Sequence, residues 1–140
     1  MSKKVLVLCT GNSCRSQIAE GYLRKFLNIK GEVFSAGVET HGVNPMAIKT
    51  MMDDGVDITN HTSNHIDEYQ DLEFDFIITV CDHAKEKCPY FPSQALRIHK
   101  NFFDPSKVKG SAKEINQAFE IARNEIKDFC ENFVQDYFTD

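Results

Sequence analysis

Residues 5–16 read Val-Leu-Val-Leu-Cys-Thr-Gly-Asn-Ser-Cys-Arg-Ser, an apolar run that passes directly into a polar one. The run Val5–Cys9 is continuous rather than alternating, which is typical of a strand buried in a parallel sheet. Farther along, apolar residues recur at helical spacing over Gln17–Leu27, and Ser16 is a residue type that can cap such a helix. This segment therefore predicts a strand, a tight loop and a helix in direct succession.

The same alternation of strands and helices continues along the chain. Later strands are predicted at Glu32–Ala36, Phe74–Val80 and Ala95–His99, and later helices at Pro45–Asp53 and Lys113–Tyr137. Such alternation indicates an α/β fold with a mostly parallel, four-stranded sheet flanked by helices. Because the 140 residues contain no repeat and no evident linker, we expect a single domain over residues 1–140.

Composition and charge argue against several classes of partner. The net charge is −5 without a basic run, whereas a nucleic-acid surface needs clustered lysine and arginine. No segment approaches the roughly 20 apolar residues of a membrane helix, and the short apolar run after Lys4 does not resemble a signal peptide. We expect a monomeric, cytoplasmic protein with no nucleic-acid or membrane partner. A small anion is still compatible as a ligand, because one local site can be positive on an acidic protein.

The polar residues after Cys9 form a candidate anion site. A loop between a buried strand and a helix directs successive backbone N–H groups into one small space, and the helix start adds partial positive charge. Gly11 and Asn12 tolerate the left-handed backbone that a tight loop requires, and the guanidinium of Arg15 can bind two oxyanion oxygens at once. The predicted oxyanion-binding residues are Thr10, Gly11, Asn12, Ser13, Cys14 and Arg15.

Cys9 lies at the base of this loop and is the candidate nucleophile. The field that attracts an anion also favours the thiolate, so we expect the pKa of Cys9 to be lowered. The Ser16 hydroxyl could donate a hydrogen bond to the sulfur. The alternative is a buried strand-end cysteine beside an ordinary polar turn, but the strand–loop–helix context favours a catalytic cysteine.

Four further cysteines need an explanation. The odd total of five does not suit a secreted disulfide framework. Cys81 follows the strand Phe74–Val80, at the sheet edge where Cys9 also lies and where α/β proteins bind ligands. Cys81 and the later Cys88 could act together as a redox pair. The alternatives are that they are two buried thiols, or that they form a zinc site with His83. The remaining cysteines are expected to be structural, packed behind the loop or in the core: Cys14 and Cys130.

The pattern Cys9-x5-Arg15-Ser16 near the start of the chain resembles low-molecular-weight protein tyrosine phosphatases and the arsenate reductases that share their fold. Ser35-Ala36-Gly37 resembles the second strand of that family, and Asp104-Pro105 resembles its general-acid loop. The resemblance implies that Asp104 protonates the oxygen that leaves as the Cys9 thiolate attacks. An ordinary Asp-Pro turn is the alternative interpretation of this pair.

The segment Thr79-Val-Cys81, together with Cys88-Pro89, resembles the redox segment of thioredoxin-coupled arsenate reductases. Three positions depart from the phosphatases: Cys81 stands where they usually have Met or another residue, Gln17 where they usually have proline, and Ser106 where they tend to carry an aromatic residue. The stretches 39–45 and 60–63 also resemble the reductases. The resemblance therefore implies arsenate reduction, with hydrolysis of phosphate monoesters as the alternative and a non-catalytic oxyanion binder as a third.

A three-cysteine cascade is implied by the same resemblance. Cys9 attacks arsenate, Cys81 then attacks Cys9 and releases arsenite, and Cys88 attacks Cys81. Thioredoxin, as the external reductant, is expected to reduce the final Cys81–Cys88 disulfide. The resemblance implies no tightly bound organic cofactor.

Some reductases of this type hold a potassium ion beside the loop. Asn12, Glu20 and Ser35 match positions that supply oxygen ligands there. Asn64 stands where an aspartate is expected, and its amide can coordinate an ion without adding charge.

Overall fold

The computed structural model of the protein describes residues 3–82 and 90–138. The strands in these ranges are β1 (Lys3–Leu8), β2 (Gly31–Ala36), β3 (Phe76–Thr79) and β4 (Leu96–His99). The α-helices are α1 (Arg15–Leu27), α2 (Pro45–Asp53) and α3 (Ala112–Phe138), and short 3-10 turns occur at Asn28–Lys30, Ile66–Tyr69 and Pro105–Lys107.

The described strands form one parallel sheet in the order β2-β1-β3-β4. β1 is flanked on both sides, and its last residue, Leu8, pairs with Ala36 of β2 and with Thr79 of β3. The carboxyl ends of these three strands therefore lie at the same edge of the sheet. The loops that carry the predicted chemistry leave from this edge.

One face of the sheet packs against the α-helices. Val5 and Val7 of β1 are fully buried in a large apolar cluster that includes residues from all three helices, among them Leu23, Met51 and Phe133. Burial of this apolar surface is the main favourable contribution to folding. It also anchors β1 and α1 rigidly on both sides of the loop between them.

The opposite face is covered by a smaller aromatic cluster. Leu6 and Leu8 point to this side, because alternate residues of a strand face opposite ways. Phe74 packs edge-to-face against Phe34 and against Phe91, each with ring centroids 5.6 Å apart. Such pairs stabilise the cluster beyond the area that they bury.

The boundaries of α2 agree with the sequence prediction, and local residues explain them. Pro45 occupies the first turn, and the Asn44 side chain caps it by accepting a hydrogen bond from the Met46 N–H at 2.8 Å. Gly55 follows the helix with a φ of 78°, a left-handed conformation that glycine adopts without strain. The predicted α/β class and four-stranded parallel sheet are likewise confirmed.

The predicted helix cap at Ser16 is wrong. α1 begins at Arg15, two residues before the predicted start at Gln17, and Cys14 occupies the N-cap position without a side-chain hydrogen bond to the helix. The Ser16 hydroxyl instead accepts a hydrogen bond from the Asn12 side chain. The physical reason is that the buried amide of Asn12, rather than a capping serine, closes the turn from β1 into α1.

Candidate active site

Residues 9–15, which we call the cradle loop, connect the end of β1 to the first residue of α1. The backbone N–H of Cys9 still bonds to the Ala36 carbonyl at 3.1 Å, which holds this residue at the sheet edge. Cys9 and Arg15, at the two ends of the loop, are both buried. Asn12 has a φ of 46°, the left-handed backbone that the tight loop is expected to need.

The side chain of Asn12 supports the cradle loop from behind. It is fully buried, and its Nδ2 donates to the hydroxyl oxygens of Ser16 and Ser35, both at 2.9 Å. Its Oδ1 accepts a hydrogen bond from the Asn64 backbone N–H at 2.7 Å. Because a backbone N–H can only donate, this contact sets the orientation of the amide. The Asn12 side chain therefore holds the cradle loop in position, while the Asn12 backbone forms part of that loop.

A neighbouring loop gives a second support that sequence reasoning missed. The Gln17 Nε2 donates to the carbonyls of Asn12 and Thr62, both at 3.0 Å, and the Ser63 hydroxyl donates to the Gly11 carbonyl at 3.2 Å. These bonds satisfy carbonyl groups on the outer side of the cradle loop. The resemblance of residues 60–63 to arsenate reductases was the one sequence signal that this neighbouring loop is important.

Gly37 allows the end of β2 to approach the cradle loop closely. A Cβ atom here would lie 2.5 Å from the Thr10 carbonyl oxygen and 2.8 Å from the Cys9 carbonyl oxygen. The backbone of Gly37 is also held in place, since its N–H bonds to the Asn64 carbonyl at 3.0 Å and its carbonyl accepts from the Ile66 N–H at 2.9 Å. Close backbone packing therefore explains the glycine of the predicted second-strand motif.

Arg15 connects the cradle loop to the loop that carries Asp104. Its Nη1 donates to the Phe102 carbonyl at 3.1 Å, and its Nη2 lies 3.6 Å from Oδ2 of Asp104. The other carboxylate oxygen, Oδ1, accepts hydrogen bonds from the backbone N–H and the hydroxyl of Ser106 at 3.0 and 2.6 Å. The structure therefore brings the predicted acid to the predicted oxyanion-binding arginine.

A cleft of about 390 Å³ opens above the cradle loop. In the described part of the chain it is lined by Cys9, Thr10, Gly11, Ser13, Cys14, Arg15, Glu39, His41, Asp104, Ser106 and Lys107. Glu39 and His41 reach the rim because their backbone N–H groups bond to the carbonyls of Thr10 (3.0 Å) and Gly11 (3.2 Å). The sequence did not mark them or Lys107 as site residues, because no local pattern reveals such long-range contacts.

Two other thiols are held in the protonated form. Cys14 is buried but lines the cleft, rather than packing wholly behind the loop. Burial raises the pKa of its thiol, as does the Asp104 carboxylate, while Arg15 has a smaller opposite effect. Burial also raises the pKa of Cys130, which lies in the core as predicted and donates to the Ala19 carbonyl.

Cys81 lies just beyond β3, and β3 is the neighbour of β1, which ends just before Cys9. The Val80 N–H bonds to the Leu8 carbonyl at 3.1 Å, so the pairing of β3 with β1 continues up to these cysteines. Cys81 is fully buried. The two cysteines thus lie at the ends of adjacent strands, at the same edge of the sheet.

The oxidation state differs among the cysteines. Cys81 is disulfide-bonded. Among the described residues, the cysteines that are not part of a disulfide are Cys9, Cys14 and Cys130. Cys88 and His83, which the redox and zinc interpretations invoke, lie outside the described residues.

A family model described as low molecular weight phosphotyrosine protein phosphatase matches residues 4–138. The chain belongs to this phosphatase family. The match includes both the cradle loop and the loop that carries Asp104, so it spans the whole cleft described above.

Proteins named arsenate reductase are among those similar to this chain. The chain is 46 % identical to that of Oceanobacillus iheyensis over 136 residues, which cover 96 % of this chain and 98 % of the relative. It is 41 % identical to that of Bacillus subtilis over 134 residues, which cover 96 % of each. A solved structure described as an arsenate reductase in the phosphate binding state is similar with a TM-score of 0.81 and 31 % identity, over 96 % of this chain and 98 % of the other.

The residues of the potassium interpretation do lie together behind the cradle loop of this phosphatase-family fold. The Ser35 hydroxyl donates to Glu20, and the Arg24 guanidinium binds the other carboxylate oxygen of Glu20 at 2.8 Å. The oxygen of Asn12 faces the Asn64 N–H. A potassium ion would have to share these oxygens with the protein donors, so the potassium site stays a prediction and no step below involves the ion.

Two features are absent from residues 3–82 and 90–138. No group of three or more His, Cys, Asp and Glu side chains there is arranged to hold a metal ion. No helix there is both long enough and apolar enough to cross a membrane.

Proposed function

We propose that this chain reduces arsenate to arsenite, with Cys9 as the nucleophile and with Cys81 and Cys88 as a redox pair that thioredoxin resets. The relatives named arsenate reductase, 41 % and 46 % identical over most of the chain, support the reaction class. The observation that carries the proposal is the second cysteine at the adjacent strand end: Cys81 is disulfide-bonded, whereas Cys9 is not part of a disulfide. A phosphatase uses one cysteine and leaves this arrangement unexplained.

The cradle loop has what the first step requires. Arsenate, like phosphate, is a tetrahedral oxyanion that backbone N–H groups, a helix start and the Arg15 guanidinium can bind. The Cys9 sulfur attacks arsenic, an S–As bond forms and one As–O bond breaks. Asp104 donates its proton to the departing oxygen, which leaves as water.

The second step transfers two electrons from sulfur to arsenic. The Cys81 thiolate attacks the Cys9 sulfur, an S–S bond forms, and the electron pair of the S–As bond leaves with arsenic as arsenite. Attack by Cys88 on Cys81 then returns Cys9 to the thiolate, and the dithiol of thioredoxin reduces the remaining disulfide. A disulfide at Cys81 that does not include Cys9 is the product expected before thioredoxin acts.

Hydrolysis of phosphate monoesters is a second candidate function. Family membership favours it, as does the carboxylate of Asp104 beside Arg15, since water could hydrolyse a Cys9-phosphate intermediate. Among the described residues that line the cleft, however, none is Phe, Tyr or Trp. Aryl groups bind best against aromatic and apolar walls, so we expect hydrolysis of aryl phosphates to be slow.

The test of the cascade is arsenate-dependent oxidation of NADPH in the presence of thioredoxin and thioredoxin reductase. We expect sustained turnover by the unchanged chain and none by Cys81→Ser or Cys88→Ser. Cys130→Ala is the control and should keep turnover, because Cys130 is buried in α3 and is not part of the cleft lining. Normal turnover by both serine variants would contradict the cascade.

Single-turnover measurements then separate the steps. Cys88→Ser should release one arsenite per chain and stop with a Cys9–Cys81 disulfide, whereas Cys81→Ser should release none because nothing displaces arsenic from Cys9. Both variants should hydrolyse p-nitrophenyl phosphate as the unchanged chain does. If the unchanged chain hydrolysed this ester but reduced no arsenate, the phosphatase function would be favoured instead.

A further inference from the structure

The two oxygens of Asp104 have different surroundings. Oδ1 accepts one hydrogen bond from the Ser106 backbone N–H at 3.0 Å and another from the Ser106 hydroxyl at 2.6 Å. Oδ2 lies 3.6 Å from the Nη2 of Arg15, a residue of the cleft lining. Because a carboxyl oxygen offers about two lone-pair sites, both sites of Oδ1 are used by Ser106.

We propose that Ser106 is a positioning residue that places the proton of Asp104 on Oδ2. A proton on Oδ1 would have to displace one of the two Ser106 donors, whereas Oδ2 accepts neither of them. Oδ2 is also the oxygen nearer to Arg15, and therefore nearer to an oxyanion that Arg15 binds. The inference rests on the proposed function, in which Asp104 is the acid.

The same contacts act after the proton has moved. When Oδ2–H gives its proton to the departing oxygen, Asp104 becomes a carboxylate whose charge is met by Ser106 on one side and by Arg15 on the other. The 2.6 Å separation of the Ser106 hydroxyl from Oδ1 is typical of a hydrogen bond to a charged oxygen. Ser106 therefore both orients the proton and stabilises the carboxylate that its transfer leaves behind.

The local backbone explains why the hydroxyl can be tested separately. Asp104 is the N-cap of the turn Pro105–Lys107, and Pro105 is buried. This turn directs the backbone N–H of Ser106 toward Asp104 regardless of the side chain at position 106. Ser106→Ala therefore removes one of the two donors to Oδ1 and keeps the other, and Ser106→Thr retains a hydroxyl.

The experiment compares two phosphate esters. Phenolate is a poorer leaving group than p-nitrophenolate, so hydrolysis of phenyl phosphate depends more on a well-placed proton. We expect Ser106→Ala to lower kcat/KM, which reports expulsion of the leaving group rather than hydrolysis of the shared Cys9-phosphate, by about 3- to 10-fold for phenyl phosphate, with little change for p-nitrophenyl phosphate. Ser106→Thr should restore kcat/KM, and the matched control Ser93→Ala should change nothing, because Ser93 precedes β4 at the opposite edge of the sheet.

Single-turnover arsenite release by the same proteins provides a second measurement, since the first step also sends a proton to a departing oxygen. We expect slower release by Ser106→Ala and recovery in Ser106→Thr. Equal losses of kcat/KM for both esters would show that Ser106 only maintains the turn, and would overturn the inference. Unchanged hydrolysis and unchanged arsenite release in Ser106→Ala would also overturn it.

Asp104→Asn distinguishes failure of this inference from failure of the proposed function. The amide cannot donate an acidic proton, so we expect kcat/KM to fall more for phenyl phosphate than for p-nitrophenyl phosphate. If Asp104→Asn shows this dependence and Ser106→Ala does not, the assignment of Ser106 alone is wrong. If neither shows it, Asp104 is not the acid, and both the inference and that part of the proposed function are overturned.

Discussion

The Nη2 of Arg15 lies 3.6 Å from Oδ2 of Asp104, and the two side chains are only 4 % and 16 % exposed. The Nη1 of the same guanidinium donates to the Phe102 carbonyl at 3.1 Å. The Arg15 guanidinium of the cradle loop is therefore already in contact with the loop that carries Asp104. Because both charges are largely shielded from solvent, salt screens their interaction less than it would screen a surface pair.

Until Asp104 takes up the proton that it later donates, an oxyanion that enters the cleft has to share Arg15 with the Asp104 carboxylate. Asp104→Asn removes this competing negative charge at nearly constant volume. We expect inorganic phosphate to bind about 3- to 10-fold more tightly to this variant, as measured by calorimetry. Asp75→Asn, the same charge change near the amino end of β3, is the control and should leave the phosphate affinity unchanged. Equal or weaker binding by Asp104→Asn would contradict the competition.

Gly37→Ala tests whether close backbone packing shapes the cradle loop. The added Cβ would lie 2.5 and 2.8 Å from two carbonyl oxygens of that loop, so the loop has to move. We expect the free energy of unfolding to fall by about 1–3 kcal/mol. We also expect phosphate affinity, measured by calorimetry, to fall several-fold, because the backbone N–H groups of the cradle loop lose their alignment.

Gly42→Ala is the matched control for this substitution. Gly42 has a φ of 77°, but a Cβ there would meet no atom within 4 Å. Alanine at this position should cost about 1 kcal/mol of stability through its backbone conformation and leave phosphate affinity unchanged. If Gly37→Ala bound phosphate as tightly as Gly42→Ala, the packing of Gly37 would not shape the anion site.

Thiol labelling can test the division of roles among the cysteines. In the double variant Cys81→Ser/Cys88→Ser, the remaining cysteines are Cys9, Cys14 and Cys130. The raised pKa values of Cys14 and Cys130 keep both as thiols near neutral pH, and a thiol reacts far more slowly than a thiolate. We expect iodoacetamide to label Cys9 alone in the native protein and inorganic phosphate to slow that reaction.

Peptide mass mapping identifies the labelled cysteine. All three cysteines should react after denaturation, which controls for their chemical competence. Replacing Cys9 by serine in the same background should abolish native labelling rather than divert it to Cys14. Rapid labelling of Cys14 in the native protein would contradict the distinction between the two thiols of the cradle loop.

The elements that lead into the site could be predicted because their signals are local. The apolar run before Cys9 and the helical spacing after Arg15 locate β1 and α1 within one or two residues. The strand before Cys81 has a similar apolar signal, and parallel pairing then brings Cys81 to the same edge as Cys9. A continuous apolar run was a sufficient signal for these strands because the sheet buries them on both faces.

The walls and supports of the site were less predictable because they depend on contacts between distant residues. The bond from Arg15 to the Phe102 carbonyl joins residues 87 positions apart, and the bond from Ser63 to the Gly11 carbonyl joins residues 52 apart. Periodicity indicates which side of an element is buried, but not which distant loop packs there. The wrong cap at Ser16 has a different origin, since the Asn12 side chain, only four positions away, uses that hydroxyl within the buried network.

His61 is a part of that network whose burial makes stability depend on pH. Its Nδ1 donates to the Gln17 side-chain oxygen at 3.0 Å, and its Nε2 lies 3.8 Å from a carboxylate oxygen of Glu20. Burial lowers the pKa of His61, and the negative charge of Glu20 offsets this only in part. The folded protein therefore binds a proton at this imidazole less readily than the unfolded chain does.

The sign of the pH dependence follows from this difference in proton binding. Above the unfolded pKa of about 6.5, His61 is neutral in both the folded and the unfolded state, so its titration does not change the free energy of unfolding. Below it, the unfolded chain gains a proton that the folded protein resists, so the free energy of unfolding should fall as the pH is lowered toward the folded pKa. Urea unfolding at a series of pH values measures this slope. His61→Gln keeps a donor for Gln17 but does not titrate, so it should reduce the slope of the free energy of unfolding against pH. The control, His65→Gln on the exposed adjoining loop, should leave that slope unchanged. An equally steep slope in His61→Gln would assign the pH dependence to other groups.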